Sequence, residues 1–298
     1  MHHKAHLILF KVFSFLLILN FFSCSSDDSN STNDSDPINI TFPDANLELA
    51  IREEMGLGED DPFLKGKVEN VTILELNQKS ISNLKGLEYF NQLKYLNLNN
   101  NTIEDITSLA NLTTLDSLKL GSNVITDISK LSKLKSLTKL YLNNNEISDL
   151  SGLSGLTSLK ELRLFSNDIS DIGPLSTLIN LEILFIQNNN ITDISALSEM
   201  ENMDRLVLTN NTISDLIPLA NLTTITDLRL GVNQVSDISP LSGLINLNTL
   251  YLYGNDINDI SDLSSLTELE TLDLTDNPLT TEQIEDLEAI LAIEITFE

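Results

Sequence analysis

The side chains that most often carry catalysis or hold metals are confined to the start of this chain. All three histidines, His2, His3 and His6, and the single cysteine, Cys24, lie there. Nucleophilic catalysis by serine or cysteine needs a neighbouring base, usually histidine, and zinc sites need several histidines or cysteines brought together. The sequence beyond Cys24 has neither residue type, which excludes Ser-His, Cys-His and histidine-metal chemistry from that part.

Carboxylates are the remaining side chains that could do chemistry. The chain holds 44 acidic residues against 17 basic ones, for a formal net charge of −27. Such a surface repels nucleic acid and anionic lipid, so no nucleic-acid partner is expected. Paired carboxylates can act as general acid and base, but only inside an enclosed pocket that shifts their pKa values. Whether such a pocket exists depends on the fold.

Residues 1–23 are predicted to be a signal peptide. Lysines flank an apolar run whose core, residues 12–19, is too short to span a bilayer but suits a cleavable signal. The run ends in FFSC at residues 21–24, which resembles the lipobox of bacterial lipoproteins. The resemblance implies that Cys24 is acylated and becomes the mature N-terminus, although Phe21 stands where Leu is usual. An ordinary secretory signal followed by an unpaired thiol is the alternative.

Residues 24–36 are predicted to be a disordered tether, because the stretch after the cysteine has no apolar side chain. As a coil it would span about 20 Å. The acidic pair Asp27-Asp28 resembles signals that send some Gram-negative lipoproteins to the outer face of the outer membrane, although a solvated linker has the same composition. We therefore expect a protein that is anchored by lipid in the outer membrane and exposed at the cell surface.

A 22-residue repeat occupies residues 71–278. In the unit at residues 93–114, leucine or isoleucine fills a fixed set of positions. An asparagine recurs in every unit without a slip in register: Asn101, Asn123, Asn145, Asn167, Asn189, Asn211, Asn233, Asn255 and Asn277. The pattern resembles the leucine-rich-repeat family in its 22-residue bacterial class, which internalins display. The resemblance implies an α/β solenoid with a parallel sheet on its concave face, and a role in binding protein.

The spacing of the apolar residues gives a physical reason for a solenoid. Leu96-Asn97-Leu98 alternates as a strand does, so both leucines point inward and Asn97 points outward. Successive turns then stack their strands about 4.8 Å apart into one parallel sheet. The amide of each recurrent asparagine can pair backbone groups of its own and the neighbouring turn, which favours a structural role over a binding role for that column.

The second half of each unit is too short for a full α-helix, so short 3₁₀ turns are expected on the convex face. An aspartate precedes Ile or Leu in each unit and is predicted to cap these turns. Pro174, Pro218 and Pro240 share one position that suits the first turn. Metal binding by the aspartates is disfavoured, because isolated carboxylates lack the clustered oxygens that calcium needs. The aspartates are Asp105, Asp127, Asp149, Asp171, Asp193, Asp215, Asp237 and Asp259.

Both ends of the solenoid are predicted to be sealed, because a terminal repeat would otherwise expose an apolar face. Residues 37–70 form the N-terminal cap, with an apolar stripe at helical spacing between Asp44 and Gly56. Residues 279–298 form the C-terminal cap, in which a capping box at Thr280 begins a helix and alternating apolar residues form a last strand.

The strongest functional signal is the set of side chains that the sheet directs outward. The residue between the two strand leucines of successive turns is Lys119, Tyr141, Arg163, Phe185, Val207, Arg229 and Tyr251. The neighbouring outward column adds Phe165 and Tyr253, and Arg205 projects from the same sheet. Three of the four arginines and four of the five tyrosines therefore lie on this face. The candidate ligand-binding residues are Lys119, Tyr141, Arg163, Phe165, Phe185, Arg205, Arg229, Tyr251 and Tyr253.

Tyrosine, phenylalanine and arginine dominate interface hot spots, so a ligand face is the favoured interpretation of this column. The alternative is that neighbouring rungs only stack on each other, with Arg163 between Tyr141 and Phe185, and Arg205 paired with Asp227.

The leading hypothesis is a monomeric, membrane-anchored lipoprotein that binds a protein. A glycan-binding lipoprotein for nutrient capture comes second, and a passive spacer third. An open sheet offers no enclosed pocket, so we expect neither an enzyme nor a cofactor or metal.

Overall fold

The computed structural model describes residues 39–297. The predicted signal peptide, the tether with Cys24 and the first two residues of the N-terminal cap lie outside the described residues. The described chain forms three α-helices: α1 (Ala45–Met55), α2 (Lys65–Val68) and α3 (Thr281–Leu291). Its strands are β1 (Ile73–Glu75), β2 (Tyr95–Asn97), β3 (Ser117–Lys119), β4 (Lys139–Tyr141), β5 (Glu161–Arg163), β6 (Ile183–Phe185), β7 (Arg205–Val207), β8 (Asp227–Arg229), β9 (Thr249–Tyr251), β10 (Thr271–Asp273) and β11 (Ile295–Thr296).

The eleven strands form one parallel sheet in chain order, so each strand pairs only with its neighbours in the sequence. The register repeats without a shift: Leu96 of β2 faces Leu118 of β3, and Leu118 faces Leu140 of β4. These inward leucines have no exposed surface, and neither does Leu98, which directly follows its strand. The predicted leucine-rich-repeat solenoid, with its parallel sheet on the concave face, is confirmed.

The recurrent asparagines form a hydrogen-bonded ladder beneath the sheet. In one rung, Asn123 Nδ2 donates to the carbonyls of Leu120 and Leu98, at 2.9 and 3.1 Å, while its Oδ1 accepts from Ile103 N at 3.0 Å. Equivalent bonds to the previous turn are made in the other units. Backbone groups that would otherwise be buried without partners are thereby satisfied. The structural role predicted for this column is confirmed.

The chain turns sharply at the residue before each ladder asparagine, where φ is positive in all nine units. Asparagine, aspartate or glycine, which tolerate the left-handed region well, fill this position in six units, and serine fills it in two. Val232 fills it in the remaining unit, with φ 53° and an exposed side chain. Because valine is β-branched, this is a strained position.

Nine short 3₁₀ segments line the convex face. Each predicted capping aspartate accepts a backbone N–H from two residues further on, as Asp127 Oδ1 does from Ser129 N at 2.8 Å. The aspartate lies one residue earlier than a standard N-cap, because the following Ile or Leu takes that position and is buried. The predicted capping is thus confirmed, with a shift of one residue. Pro174, Pro218 and Pro240 lie in the first turn, as predicted.

The caps form as the sequence predicts. Asp44 accepts from the first N–H groups of α1, and Gly56 ends that helix in the left-handed conformation. At the other end, Thr280 and Gln283 form a reciprocal capping box at the start of α3. The short strand β11 then adds to the edge of β10 and closes the sheet. The apolar faces of the first and last repeats are therefore covered.

Candidate ligand-binding face

The outward side chains of the concave face fall into three columns. The first column is the first residue of each strand, the central column is the third residue, and the third column lies two residues beyond the central one. The strand register makes the predicted central column continuous from Lys119 on β3 to Tyr251 on β9. Arg205 lies in the first column, whereas Phe165 and Tyr253 lie in the third column on separate rungs.

Cations and aromatic rings alternate along the central column. Lys119 Nζ lies 5.1 Å from the ring centre of Tyr95 and 5.4 Å from that of Tyr141. The guanidinium of Arg163 lies 4.3 Å from the Tyr141 ring and 5.0 Å from the Phe185 ring. Both faces of Tyr141 are thus covered by cations at cation–π distance. The stacking arrangement proposed from the sequence is present, and it holds these side chains in fixed positions.

Glu161 in the first column orients the guanidinium of Arg163. Its side chain is only 10% exposed, and its Oε1 accepts from Arg163 Nε and Nη2 at 2.9 and 2.6 Å and from Tyr141 Oη at 2.8 Å. Burial by itself would raise the pKa of Glu161, but the hydrogen bonds from Arg163 and Tyr141 and the charges of Arg163 and Lys139 outweigh it and lower the pKa. Glu161 is therefore ionised.

Asp227 plays the same part further along the sheet, between two arginines. Its Oδ2 accepts from Arg205 Nε at 2.6 Å, and its Oδ1 accepts from Arg229 Nε at 2.8 Å. Burial would raise the pKa of Asp227, but the hydrogen bonds from Arg229 and Arg205 lower it. The bond to Asp227 in turn raises the pKa of Arg229. The Arg229 guanidinium also lies 4.9 Å from the Tyr251 ring.

A shallow depression of ≈ 400 Å³ lies in the C-terminal half of the face. Its lining includes Gln187, Arg229, Tyr251 and Tyr253. The ring of Tyr253 lies over Gly231, where a Cβ atom would overlap it. Within residues 39–297, Gln187 Oε1 is the buried side-chain atom that has no hydrogen-bond partner. Buried polar atoms are nearly always paired, so an unpaired acceptor at this position is unusual.

The structure brings some of the predicted residues together and separates others. Lys119, Tyr141, Arg163, Phe185 and Arg205 form one contiguous group, which Asp227 links to Arg229 and Tyr251. Tyr253 lines the depression beside Arg229 and Tyr251, whereas Phe165 lies apart in the third column.

Sequence reasoning missed the orienting role of Glu161, the unpaired acceptor of Gln187 and the small side chain needed at Gly231. A carboxylate two residues before an arginine on one strand was the available signal for Glu161. Val207, in the predicted outward column, is only 6% exposed, because it lies between Phe185 and Arg229 in the register.

A family model that describes a pair of leucine-rich repeats matches three stretches of the chain, residues 113–155, 157–199 and 245–289. An internalin of Listeria monocytogenes, InlF, is 33% identical over 90% of this chain and 94% of that chain, with a TM-score of 0.60. The chain belongs to the internalin-like leucine-rich-repeat family.

Internalin C2 of the same organism is 34% identical over 71% of this chain and 94% of its own, with a TM-score of 0.69. A leucine-rich-repeat protein of Leptospira interrogans shares the fold at 22% identity, covering 78% of this chain and 74% of that one, with a TM-score of 0.66. No curated protein matched the chain. Internalin-like leucine-rich-repeat proteins are typically binding proteins rather than enzymes.

Within residues 39–297, none of the helices is both long and apolar enough to cross a membrane. The same residues hold no group of three or more histidine, cysteine or acidic side chains that could bind a metal ion.

Proposed function

We propose that this internalin-like chain is a surface-anchored lipoprotein that recognises a protein partner through the concave face of its solenoid. Support for the site comes from one observation above all. The aromatic and basic side chains of the central column are already held in place by contacts within the sheet.

Binding normally costs about 0.5–1.5 kcal/mol for each flexible side chain that becomes fixed, and preorganised side chains avoid most of that cost.

The residue types on the face support a protein partner. Tyrosine and arginine are enriched among the residues that dominate protein interfaces, and here they cluster at the centre of an open, continuous sheet. The convex face instead presents mainly aspartate, serine and threonine beside its 3₁₀ segments, with Lys130 and Lys133 on one of them. The two faces therefore differ in their content of aromatic and arginine side chains, which distinguishes interface centres from ordinary surface.

The proposed anchor rests on the sequence at residues 21–24. Lipid on Cys24 would hold the solenoid at the outer membrane, and the tether at residues 24–36 would keep it clear of the headgroups. The test is fractionation of cells that express the wild type or Cys24→Ser, together with mass spectrometry of the mature N-terminus. We expect the variant to leave the membrane fraction. A variant that remains there, or a native N-terminus without acyl groups, would refute the anchor.

The binding role is tested by capture experiments with two matched triple variants. One removes concave aromatic groups (Tyr141→Ala, Phe185→Ala and Tyr251→Ala), and the other changes the convex face (Ser129→Ala, Ser195→Ala and Ser261→Ala). Proteins captured by the wild type should be retained by the convex variant and lost by the concave one. Equal capture by both variants would refute the concave site. A glycan array probed with the same three proteins tests the glycan alternative.

A further inference from the structure

The centre of the concave face is a basic island on an acidic molecule. Strands β3 to β9 carry five cationic residues, Lys119, Lys139, Arg163, Arg205 and Arg229, against two acidic ones, Glu161 and Asp227. The whole chain has a formal net charge of −27. Cationic residues therefore outnumber acidic ones on the face to which the proposed function assigns binding.

Both carboxylates of the island are turned toward the guanidinium groups and are nearly covered, with side chains 10% and 11% exposed. They consume only part of the hydrogen-bonding capacity of the arginines. Three sets of nitrogens make no hydrogen bond to any residue in the described part of the chain: Nη1 of Arg163, Nη1 of Arg229 and both Nη atoms of Arg205. A guanidinium fixed in this way offers carboxylates the paired donor geometry that they prefer.

On the basis of the function proposed above, we propose that the partner presents a short acidic peptide segment to this face. Its carboxylates contact the free guanidinium nitrogens of Arg163, Arg205 and Arg229. The island spans β3 to β8, about 24 Å at the usual spacing of strands, which an extended segment of roughly seven residues would cover. Carboxylates that directly precede several strands, such as Asp204 before β7, border the island, so a polyanion longer than the island meets repulsion beyond it.

The depression beside the island favours a peptide over other anions. Gln187 lines it, and its Oε1 has no hydrogen-bond partner among residues 39–297, so a ligand donor that reaches this amide would meet an unpaired acceptor. The backbone of a peptide supplies N–H donors next to its acidic side chains, whereas a phosphate or sulfate group supplies acceptors alone. Tyr251 and Tyr253 line the same depression and can cover an adjacent side chain.

The experiment screens a random-peptide library displayed on phage against the folded chain, followed by dissociation constants of the recovered peptides. The test variant is Lys119→Gln with Arg229→Gln. It removes two positive charges, yet Asp227 keeps its bond to Arg205. The matched control is Lys130→Gln with Lys133→Gln, which removes the same charge from a convex 3₁₀ segment. Heparin is tested in parallel, and melting curves confirm that all variants fold.

We expect recovered peptides rich in Asp and Glu, whose affinity falls about tenfold or more in the test variant and less than about twofold in the control. Peptides without an acidic excess that still lose affinity when Tyr141 is replaced by alanine would overturn the acidic partner but leave the proposed site standing. Peptides indifferent to every concave change would contradict both. Recovery of no peptide, or a concave face that binds heparin instead, would also overturn the inference.

Discussion

The asparagine ladder and the central outward column each contribute one residue per repeat, yet the ladder holds the same residue in nine units and the column changes at every rung. The ladder side chains bond to buried backbone groups of two turns, as Asn123 does. The outward side chains from Lys119 to Tyr251 instead contact other side chains of the same face, as Arg163 does with Tyr141 and Glu161. A position becomes invariant within this molecule where the backbone needs one particular side chain, and it varies where the fold sets no such demand.

The largest effect is expected from removing one rung of the ladder. Asn167 Nδ2 donates to the carbonyls of Leu142 and Leu164, and its Oδ1 accepts from Ile147 N. Asn167→Ala would leave buried backbone groups unpaired and should lower the free energy of unfolding by about 1–3 kcal/mol. Urea denaturation measures the change. An unchanged free energy of unfolding would show that the ladder asparagine is no more important to the fold than an outward residue.

A smaller loss of stability is expected at Arg163, an outward residue that compensates the buried charge of Glu161. Arg163→Ala deprives the ionised Glu161 of two hydrogen bonds and should destabilise the chain by about 1–2 kcal/mol. Adding Glu161→Gln should recover part of that loss, because the neutral amide is less costly to leave partly covered. A double variant no more stable than Arg163→Ala alone would show that the guanidinium acts through packing rather than charge.

A gain in stability is expected at the strained turn of Val232. Val232 occupies the left-handed position that asparagine occupies at Asn100, Asn144 and Asn188 in other units. Val232→Asn should raise the free energy of unfolding by about 1 kcal/mol, because asparagine adopts this conformation at lower cost. Thermal melting of this variant beside Asn188→Val, which should show the opposite change, measures the effect. A loss of stability in Val232→Asn would indicate that the valine packs usefully.

The smallest effect is expected from the convex carboxylates under acid conditions. Backbone N–H and hydroxyl groups of the following serines lower the pKa of Asp127, Asp193 and Asp259. Their contribution to stability is therefore complete above the carboxyl pKa of the unfolded chain, and it is lost as the pH falls through the lower folded values. Replacing all three by asparagine should flatten the acid limb of the stability profile. An identical acid limb would refute the capping account.

The fold was predictable from the sequence because each unit repeats one local demand. Leucines such as Leu96 and Leu98, and ladder residues such as Asn101, mark the buried and hydrogen-bonded positions in every turn, and in-register stacking leaves little freedom. The capping aspartates were predicted at the correct residues, but the sequence pattern does not reveal that the Ile or Leu after each aspartate takes the N-cap position of the 3₁₀ turn.

The contacts of the candidate site could be predicted only in part. The outward direction of Arg163 follows from strand alternation, but its two hydrogen bonds to Glu161 depend on rotamers that no periodicity specifies. The unpaired Oε1 of Gln187 and the fit of Tyr253 over Gly231 arise from one rung alone. Such non-repeating positions are where an open solenoid can acquire specificity without disturbing its core.

The most direct test of the binding role is a comparison of dissociation constants for a captured partner. Tyr141→Ala, Phe185→Ala and Arg229→Ala change the concave face, and Ser129→Ala and Ser195→Ala change the convex one. At least one concave substitution should weaken binding by about 2 kcal/mol or more while the convex pair has almost no effect. Equal and small effects on both faces would contradict the account, and the central column would then be a packing arrangement alone.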